Sequence, residues 1–255
     1  PVCAIYSTFL QRAFDQILHD VCLQKLPVVF AIDRAGFAGD DGRTHHGIYD
    51  LSYLRCMPNM TLMAPRDEDQ LRHMLATAMT VTGGATAIRY PRGIGLGVPT
   101  DKPLEILPIG KGELLRDGDD VAILAVGSMV AVASAAAEEL ALDGIDAAVF
   151  DARFIKPLDR DAIVELATCC RAIVTIEENT EVGGFGASVL ELLSDEGIQI
   201  PIRHLGIPDR VFEQASQARL RELADLTPEA VVETARQVMK ARPAAPATAE
   251  IFSTR

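Results

Sequence analysis

The sequence predicts an α/β protein of two doubly wound domains, each built on a mainly parallel sheet. Three observations lead there. Short apolar runs alternate with stretches of helical periodicity along the chain, the order that produces parallel strands with helices on both faces. The runs lack polar alternation, as strands covered on both sides do. Between residues 94 and 118 a Gly/Pro-rich stretch, IGLGVPTDKPLEILPIGKGELLRDG, divides the pattern. At 255 residues there is room for two cores of ordinary size.

Taken in order, Val2 to Tyr6 makes a strand and Ser7-Thr8 can cap the helix that follows. Phe9, Leu10, Ala13, Phe14, Ile17, Leu18 and Val21 give that segment the i, i+3, i+4, i+7 pattern of a helix over Phe9 to Val21. Leu26 to Ile32 is a buried strand, which closes a first βαβ unit. A short helix over Ile48 to Arg55 and a strand over Met60 to Ala64 come next. Asp67 to Thr80 is an amphipathic helix whose Asp67, Glu68 and Asp69 suit its positive N-terminal end. Ala85 to Tyr90 is a strand stopped by Pro91-Arg92-Gly93. A first domain over 1–93 is therefore expected, then a linker over 94–118 with a short hairpin.

The second domain, 119–242, opens with a strand over Asp120 to Val126. An alanine-rich helix over Met129 to Leu142 and a strand over Ala147 to Asp151 follow. Asp159 to Cys169 is a helix, Ala172 to Ile176 a strand, and Glu177 to Gly186 a loop leading into a helix that runs to about Leu193. Ile200 to Leu205 is a strand and Pro228 to Lys240 the last helix. The Pro/Ala-rich tail, 243–255, is expected to be disordered.

Composition excludes some partners. A net charge of −12 argues against nucleic acid and anionic membranes, which call for a basic face. The five cysteines are odd in number and lack metal-ligand spacing, so reduced thiols and a cytoplasmic home (plastid stroma in a plant) are the default. Neither a long apolar run nor a signal peptide is present. The chain opens on Pro1-Val-Cys-Ala-Ile-Tyr6, which reads as the middle of a strand, and it is expected to be a piece of a longer protein.

The richest stretch is Ala31 to Asp50, AIDRAGFAGDDGRTHHGIYD. A strand ends there in a loop carrying Asp33, Arg34, Asp40, Asp41, Arg43, His45 and His46 among Gly36, Gly39, Gly42 and Gly47. Ligands bind outside the carboxyl ends of parallel strands, where loops and helix N-termini meet. Arg92 also follows a strand's carboxyl end. Two guanidinium forks from separate strand ends can grip one dianion, with charge-assisted bonds a single lysine does not match.

YSTFLQRAFDQ (6–16), AIDRAGFAGDDGRTHHG (31–47), DLSYLR (50–55) and AIRYPRG (87–93) closely resemble the 1-deoxy-D-xylulose-5-phosphate synthase family of the transketolase superfamily. So do FDARFIKPLD (150–159) and EENTEVGGFG (177–186), and the likeness runs to about Lys240. The resemblance implies a transketolase pyrimidine-binding domain over 1–93 and a transketolase C-terminal domain over 119–242. It implies a transferase using thiamine diphosphate and Mg²⁺ to condense pyruvate with D-glyceraldehyde 3-phosphate, releasing CO₂. The product, 1-deoxy-D-xylulose 5-phosphate, feeds the methylerythritol phosphate route to isoprenoids and also thiamine biosynthesis. A homodimer is expected.

By the same resemblance Phe9 stacks on the cofactor's aminopyrimidine and Arg12 lies beside it. Tyr6, Arg34 and Arg92 hold the acceptor phosphate. Asp41 and His45 meet the hydroxyl and aldehyde end of the acceptor. Imidazoles titrate near neutrality, so His45 suits proton delivery to the alkoxide formed there. Without the motif, Phe9 would be a core residue, Arg12 part of a solvated helix face, and Arg34 and Arg92 surface ion-pair partners. His46 is read as a structural loop residue. Gly183-Gly-Phe-Gly186 is read as close strand–helix packing rather than a phosphate cradle, and Glu177 and Glu178 as pointing apart. The second domain is expected to give mainly dimer interface and stability.

The family's diphosphate- and Mg²⁺-binding domain, its Gly-Asp-Gly motif and its activating glutamate are not found here. The chain alone is therefore expected to be inactive, with the metal and diphosphate ligands in an N-terminal domain. A non-catalytic sugar-phosphate-binding or regulatory module is one alternative. The β-subunit of a 2-oxo acid dehydrogenase is another, against which DDGRTHHG and AIRYPRG argue.

Overall fold

A computed structural model describes residues 1–240; the tail expected to be disordered, 243–255, lies outside the described residues. The first half contains β1 (Val2–Tyr6), α1 (Ser7–Leu10), α2 (Phe14–Gln16), β2 (Val29–Asp33), α3 (Asp50–Arg55), β3 (Met60–Met63), α4 (Glu68–Ala78) and β4 (Ala85–Arg89). The second contains β5 (Glu113–Arg116), β6 (Val121–Ala125), α5 (Met129–Leu142), β7 (Ala147–Asp151), β8 (Phe154–Lys156), α6 (Arg160–Cys169), β9 (Ala172–Thr180), α7 (Phe185–Asp195), β10 (Ile202–Ile207), α8 (Gln217–Leu223) and α9 (Pro228–Lys240). Two sheets result, ordered β1-β2-β4-β3-β8 and β10-β9-β6-β7-β5. In each the pairs are parallel except for one antiparallel edge strand, β8 and β5 respectively. The expected α/β class with mainly parallel sheets is what forms.

Local chemistry sets the element ends. Asp67 caps α4 by accepting from the Gln70 amide, and Asp159 caps α6 by accepting from Ala162. β6 and β7 are buried throughout, as apolar runs without alternation require.

Five elements differ from expectation, among them β8, since no strand is predicted between Asp151 and Asp159. The helix over Phe9 to Val21 is not regular: a 3₁₀ turn, Gln11–Ala13, and a π segment, Ile17–Cys22, flank α2. Ala13 leaves helical geometry, at φ −98° and ψ 16°. β5 lies within the stretch expected as linker, and it pairs with β7 rather than forming a hairpin. β9 does not stop at Ile176 but runs on to Thr180, through residues expected in a loop, because Glu177, Glu178 and Asn179 are all buried and partnered. α8 was not expected at all.

The halves share their interior. One apolar cluster joins Leu10, Phe30 and Leu54 to Leu124, Phe150 and Phe185. Another takes Phe37 and Ile48 from the loop after β2 into the second half's core, beside Ile123 and Phe212. β8, though it follows β7, completes the first sheet against β3. The loop that carries the candidate site therefore rests on both halves.

Candidate active site

The site grows from the carboxyl ends of β2 and β4. β2 ends as Arg34 turns into left-handed backbone (φ 57°), its amide donating to Asp33 Oδ1 at 2.6 Å. The turn swings the Arg34 guanidinium over the Tyr6 ring, 4.0 Å from its centroid. Tyr6 ends β1 and stacks on Phe9, with centroids 5.4 Å apart and planes at 17°. Phe9 in turn meets the His45 ring edge-on at 5.5 Å. At the other side, Arg34 Nη1 and Arg92 Nη1 both donate to one oxygen, Asp41 Oδ2, at 2.7 and 2.8 Å.

Six of the seven residues expected at the site thus form one unbroken line, His45–Phe9–Tyr6–Arg34–Asp41–Arg92. Arg12 stands apart. It is exposed in the 3₁₀ turn after Phe9 and makes no side-chain hydrogen bond or ion pair among the described residues.

Two details along this line bear on what it could bind. Arg34 Nε is buried and has no hydrogen-bond partner among the described residues. Its nearest acidic group is the Asp33 carboxylate, at 4.0 Å, too long for a hydrogen bond, and a guanidinium donor left without one beside a second guanidinium suits an anion. Phe9 is 40 % exposed although its ring packs on Tyr6 and His45. A partly open aromatic side chain suits stacking on a heteroaromatic ring such as an aminopyrimidine.

The histidine pair divides as its surroundings dictate. His45 Nδ1 contacts Thr44 Oγ1 at 3.0 Å, and Thr8 Oγ1 donates to the Thr44 carbonyl at 2.9 Å, tying the loop to α1. His46 is buried: Nδ1 accepts from the Ala38 amide at 3.2 Å, which leaves the proton on Nε2, facing the Glu213 carbonyl at 3.4 Å. Burial pushes the His46 imidazole below its ordinary pKa, only partly offset by that carbonyl. His46 is a neutral strut.

The second half contributes more than packing. Glu178, on β9, is buried, and its Oε1 accepts from the Phe37 amide at 3.2 Å and from Arg221 Nε at 3.1 Å. Its Oε2 accepts from Ser128 Oγ at 2.9 Å and Arg221 Nη2 at 2.7 Å. Gly36, at φ 78°, leaves room for this carboxylate; a Cβ there would sit 2.7 Å from Glu178 Cδ. Glu177 faces the other way and accepts from the Phe185 and Gly186 amides at the start of α7, at 2.7 and 2.8 Å. Burial pushes its carboxyl up to about 7 against the pull of those amides. The two glutamates point apart and are no acid/base pair. The glycines at 184 and 186 serve close packing, since a Cβ at Gly184 would strike the Glu177 carboxylate.

Sequence reasoning missed Glu178 as a support of the loop. A signal was there: two acids continuing an apolar strand without a turn residue between them imply burial with partners. Gln217, which donates to the Phe37 and Arg92 carbonyls, has no such signature.

Among the described residues no helix is long and apolar enough to cross a membrane, and no group of three His, Cys, Asp or Glu side chains is arranged to hold a metal ion.

Comparison with known proteins identifies the two halves by family. The family described as "Transketolase, pyrimidine binding domain" matches residues 1–95, and "Transketolase, C-terminal domain" matches 110–231. A 1-deoxy-D-xylulose-5-phosphate synthase of Thermomicrobium roseum is 60 % identical over 231 residues, covering 91 % of this chain and 37 % of that protein. 1-Deoxy-D-xylulose-5-phosphate synthase 1 of Geobacter sulfurreducens is 57 % identical over 251 residues, 98 % of this chain and 39 % of that protein. The chain thus spans less than two fifths of these relatives' length. A solved structure described as "Split gene transketolase, inactive beta4 tetramer" aligns with TM-score 0.85 and 35 % identity over 94 % of this chain and 76 % of that one. The chain therefore belongs to the transketolase family, of which it carries the pyrimidine-binding and C-terminal domains, with 1-deoxy-D-xylulose-5-phosphate synthases among its relatives.

Proposed function

We propose that this chain carries the acceptor side of a 1-deoxy-D-xylulose-5-phosphate synthase, the transferase that condenses pyruvate with D-glyceraldehyde 3-phosphate and releases CO₂. The observation that carries the proposal is the convergence of Arg34 and Arg92, from separate strand ends, on a single oxygen. Guanidinium groups aimed at one point make a site for a phosphate dianion, and Tyr6 under Arg34 fixes one of them in place.

Each residue then has a task. Arg34 and Arg92 bind the phosphate end of the acceptor, which must compete with Asp41 for them. Once displaced from the arginines, Asp41 is free to accept a hydrogen bond from the acceptor's hydroxyl. His45, next along the line, delivers a proton to the oxygen of the former aldehyde as the new carbon–carbon bond forms. Phe9 stacks the cofactor's aminopyrimidine, and Arg12, one turn on, lies at its edge. Thiamine diphosphate, when bound, supplies the nucleophilic carbon that takes up pyruvate and sheds carbon dioxide. Mg²⁺ and the diphosphate are held by a further domain beyond these residues, so this chain turns over only in its company, as a homodimer in the cytoplasm. The description of the split-gene relative as inactive supports that dependence.

The test is kinetic. In the synthase completed with a diphosphate-binding domain, Arg92→Ala should raise the KM for D-glyceraldehyde 3-phosphate on the order of 10- to 100-fold, the worth of a lost charge-assisted bond. The KM for pyruvate should hardly move, and equal effects on both substrates would remove the phosphate role. The 255-residue chain by itself, given both substrates, thiamine diphosphate and Mg²⁺, should form no product; measurable turnover would show that it needs no companion.

A further inference from the structure

The two arginines sit on segments that part company above the sheet. The last main-chain tie between them is the bond from the Ala35 amide to the Tyr90 carbonyl, at 3.0 Å. Beyond it, the chain after β2 enters the glycine-rich loop and the chain after β4 enters Pro91-Arg92-Gly93. Gln217, the first residue of α8 in the second half, spans the gap. Its Nε2 donates to the Phe37 carbonyl at 2.7 Å and to the carbonyl of Arg92 itself at 3.0 Å. A side-chain amide has two N–H bonds, so both contacts can be made at once.

The loop lies flush against this residue. Gly39 takes a left-handed φ of 85° that favours glycine, and a Cβ there would sit 3.3 Å from Gln217 Cγ, a close approach. Phe37 is fully buried, and its amide is already held by Glu178. That makes it a fixed point from which Gln217 can set the position of Arg92.

We propose that Gln217 is a positioning residue for the acceptor phosphate: by bridging Phe37 and Arg92 it fixes the separation of the Arg34 and Arg92 guanidinium groups. The assignment rests on the phosphate reading of those two arginines. Two forks serve one dianion only if both are placed to within a fraction of an ångström. Without the bridge, Arg92 keeps its charge but loses its alignment. The C-terminal domain then acts on specificity, favouring phosphorylated over unphosphorylated aldehydes, without touching the substrate.

The experiment uses the full chain and needs no turnover. Inorganic phosphate, D-glyceraldehyde 3-phosphate and D-glyceraldehyde are titrated into ¹⁵N-labelled protein, following the arginine Nε–H signals. The proteins are wild type, Arg92→Ala, Gln217→Met and Gln217→Ala. Both Gln217 variants should weaken inorganic phosphate and D-glyceraldehyde 3-phosphate by roughly tenfold, shift the Arg92 Nε–H signal in the free protein, and leave the response to D-glyceraldehyde unchanged. If Arg92→Ala weakens phosphate but both Gln217 variants bind as wild type does, Gln217 has no positioning role and the phosphate site stands. If wild type does not bind phosphate, or Arg92→Ala binds it equally well, the phosphate reading itself falls and the assignment with it. Unfolding of both Gln217 variants would mark a structural residue and also overturn the assignment.

Discussion

At the scale of single residues, His45 and His46 show how neighbours in sequence acquire different chemistry. His45 has an exposed aromatic partner and stays at the surface of the site, whereas His46 is buried between the Ala38 amide and the Glu213 carbonyl. Protonating His46 Nδ1 would set two N–H groups against each other, so the folded state resists the proton that the unfolded chain accepts near the ordinary imidazole pKa. The unfolded state then binds more protons below that point. Stability contributed by neutral His46 should be complete above about pH 6.5 and decline below it, by up to about 1.4 kcal/mol per pH unit. Glu177 acts in the opposite sense, because its raised pKa makes the folded state the better proton binder between the ordinary carboxylate range and about 7. The two are separable with His46→Asn, whose carbonyl oxygen can replace Nδ1 as acceptor. Urea denaturation from pH 7.5 to 5.5 should give a smaller loss of stability in that variant than in wild type. Parallel curves would mean that the imidazole is not the titrating strut.

At the scale of elements, the glycine-rich loop is shaped by β9 of the other half. Gly36→Ala should destabilise the protein by roughly 2–4 kcal/mol, combining left-handed strain with a Cβ forced onto the Glu178 carboxylate. Gly97→Ala is the control: it shares a positive φ but has open space around it, so it should cost only about 1–2 kcal/mol. Denaturation midpoints compare them, and equal losses would leave conformation, not the carboxylate, as the cause. The same contrast marks how far the sequence could be read. Met129–Leu142, Ala147–Asp151 and Pro228–Lys240 form as periodicity and apolar run length dictate, because each buries its own face against an adjacent element. The cluster of Tyr6, Phe9, Arg34, Asp41, His45 and Arg92 was legible because motif and strand-end position agreed. What periodicity could not show depends on distant partners. β8 is only three residues long and exists because β3 offers it an edge. β9 passes Ile176 because Phe37, Ser128, Arg221 and the start of α7 await its two carboxylates. The breaks in the helix after Tyr6 have no counterpart in its apolar spacing.

At the scale of the whole molecule, the halves are distinct in family ancestry but joined in structure. Phe37 and Ile48 complete the second core, β8 completes the first sheet, and a buried ion pair closes the seam. Arg89, at the end of β4, donates to both oxygens of buried Asp50 at 3.2 and 3.1 Å and to the Glu178 carbonyl, across the divide, at 3.0 Å. A charge buried so deeply tolerates its partner's loss poorly. Asp50→Ala should cost about 3–5 kcal/mol, because Arg89 would be left charged and without its carboxylate. The energetic consequence extends beyond one site: neither half can open without exposing apolar surface and unpaired strand edge of the other. Calorimetry of wild type should therefore show one unfolding transition, with calorimetric and van't Hoff enthalpies equal. Asp50→Ala should move that single transition down in temperature without splitting it, since the shared core still couples the halves. Two resolved transitions in wild type would mean that the seam is only a contact between independent domains, and the acceptor loop would then have to owe its shape to the first half alone.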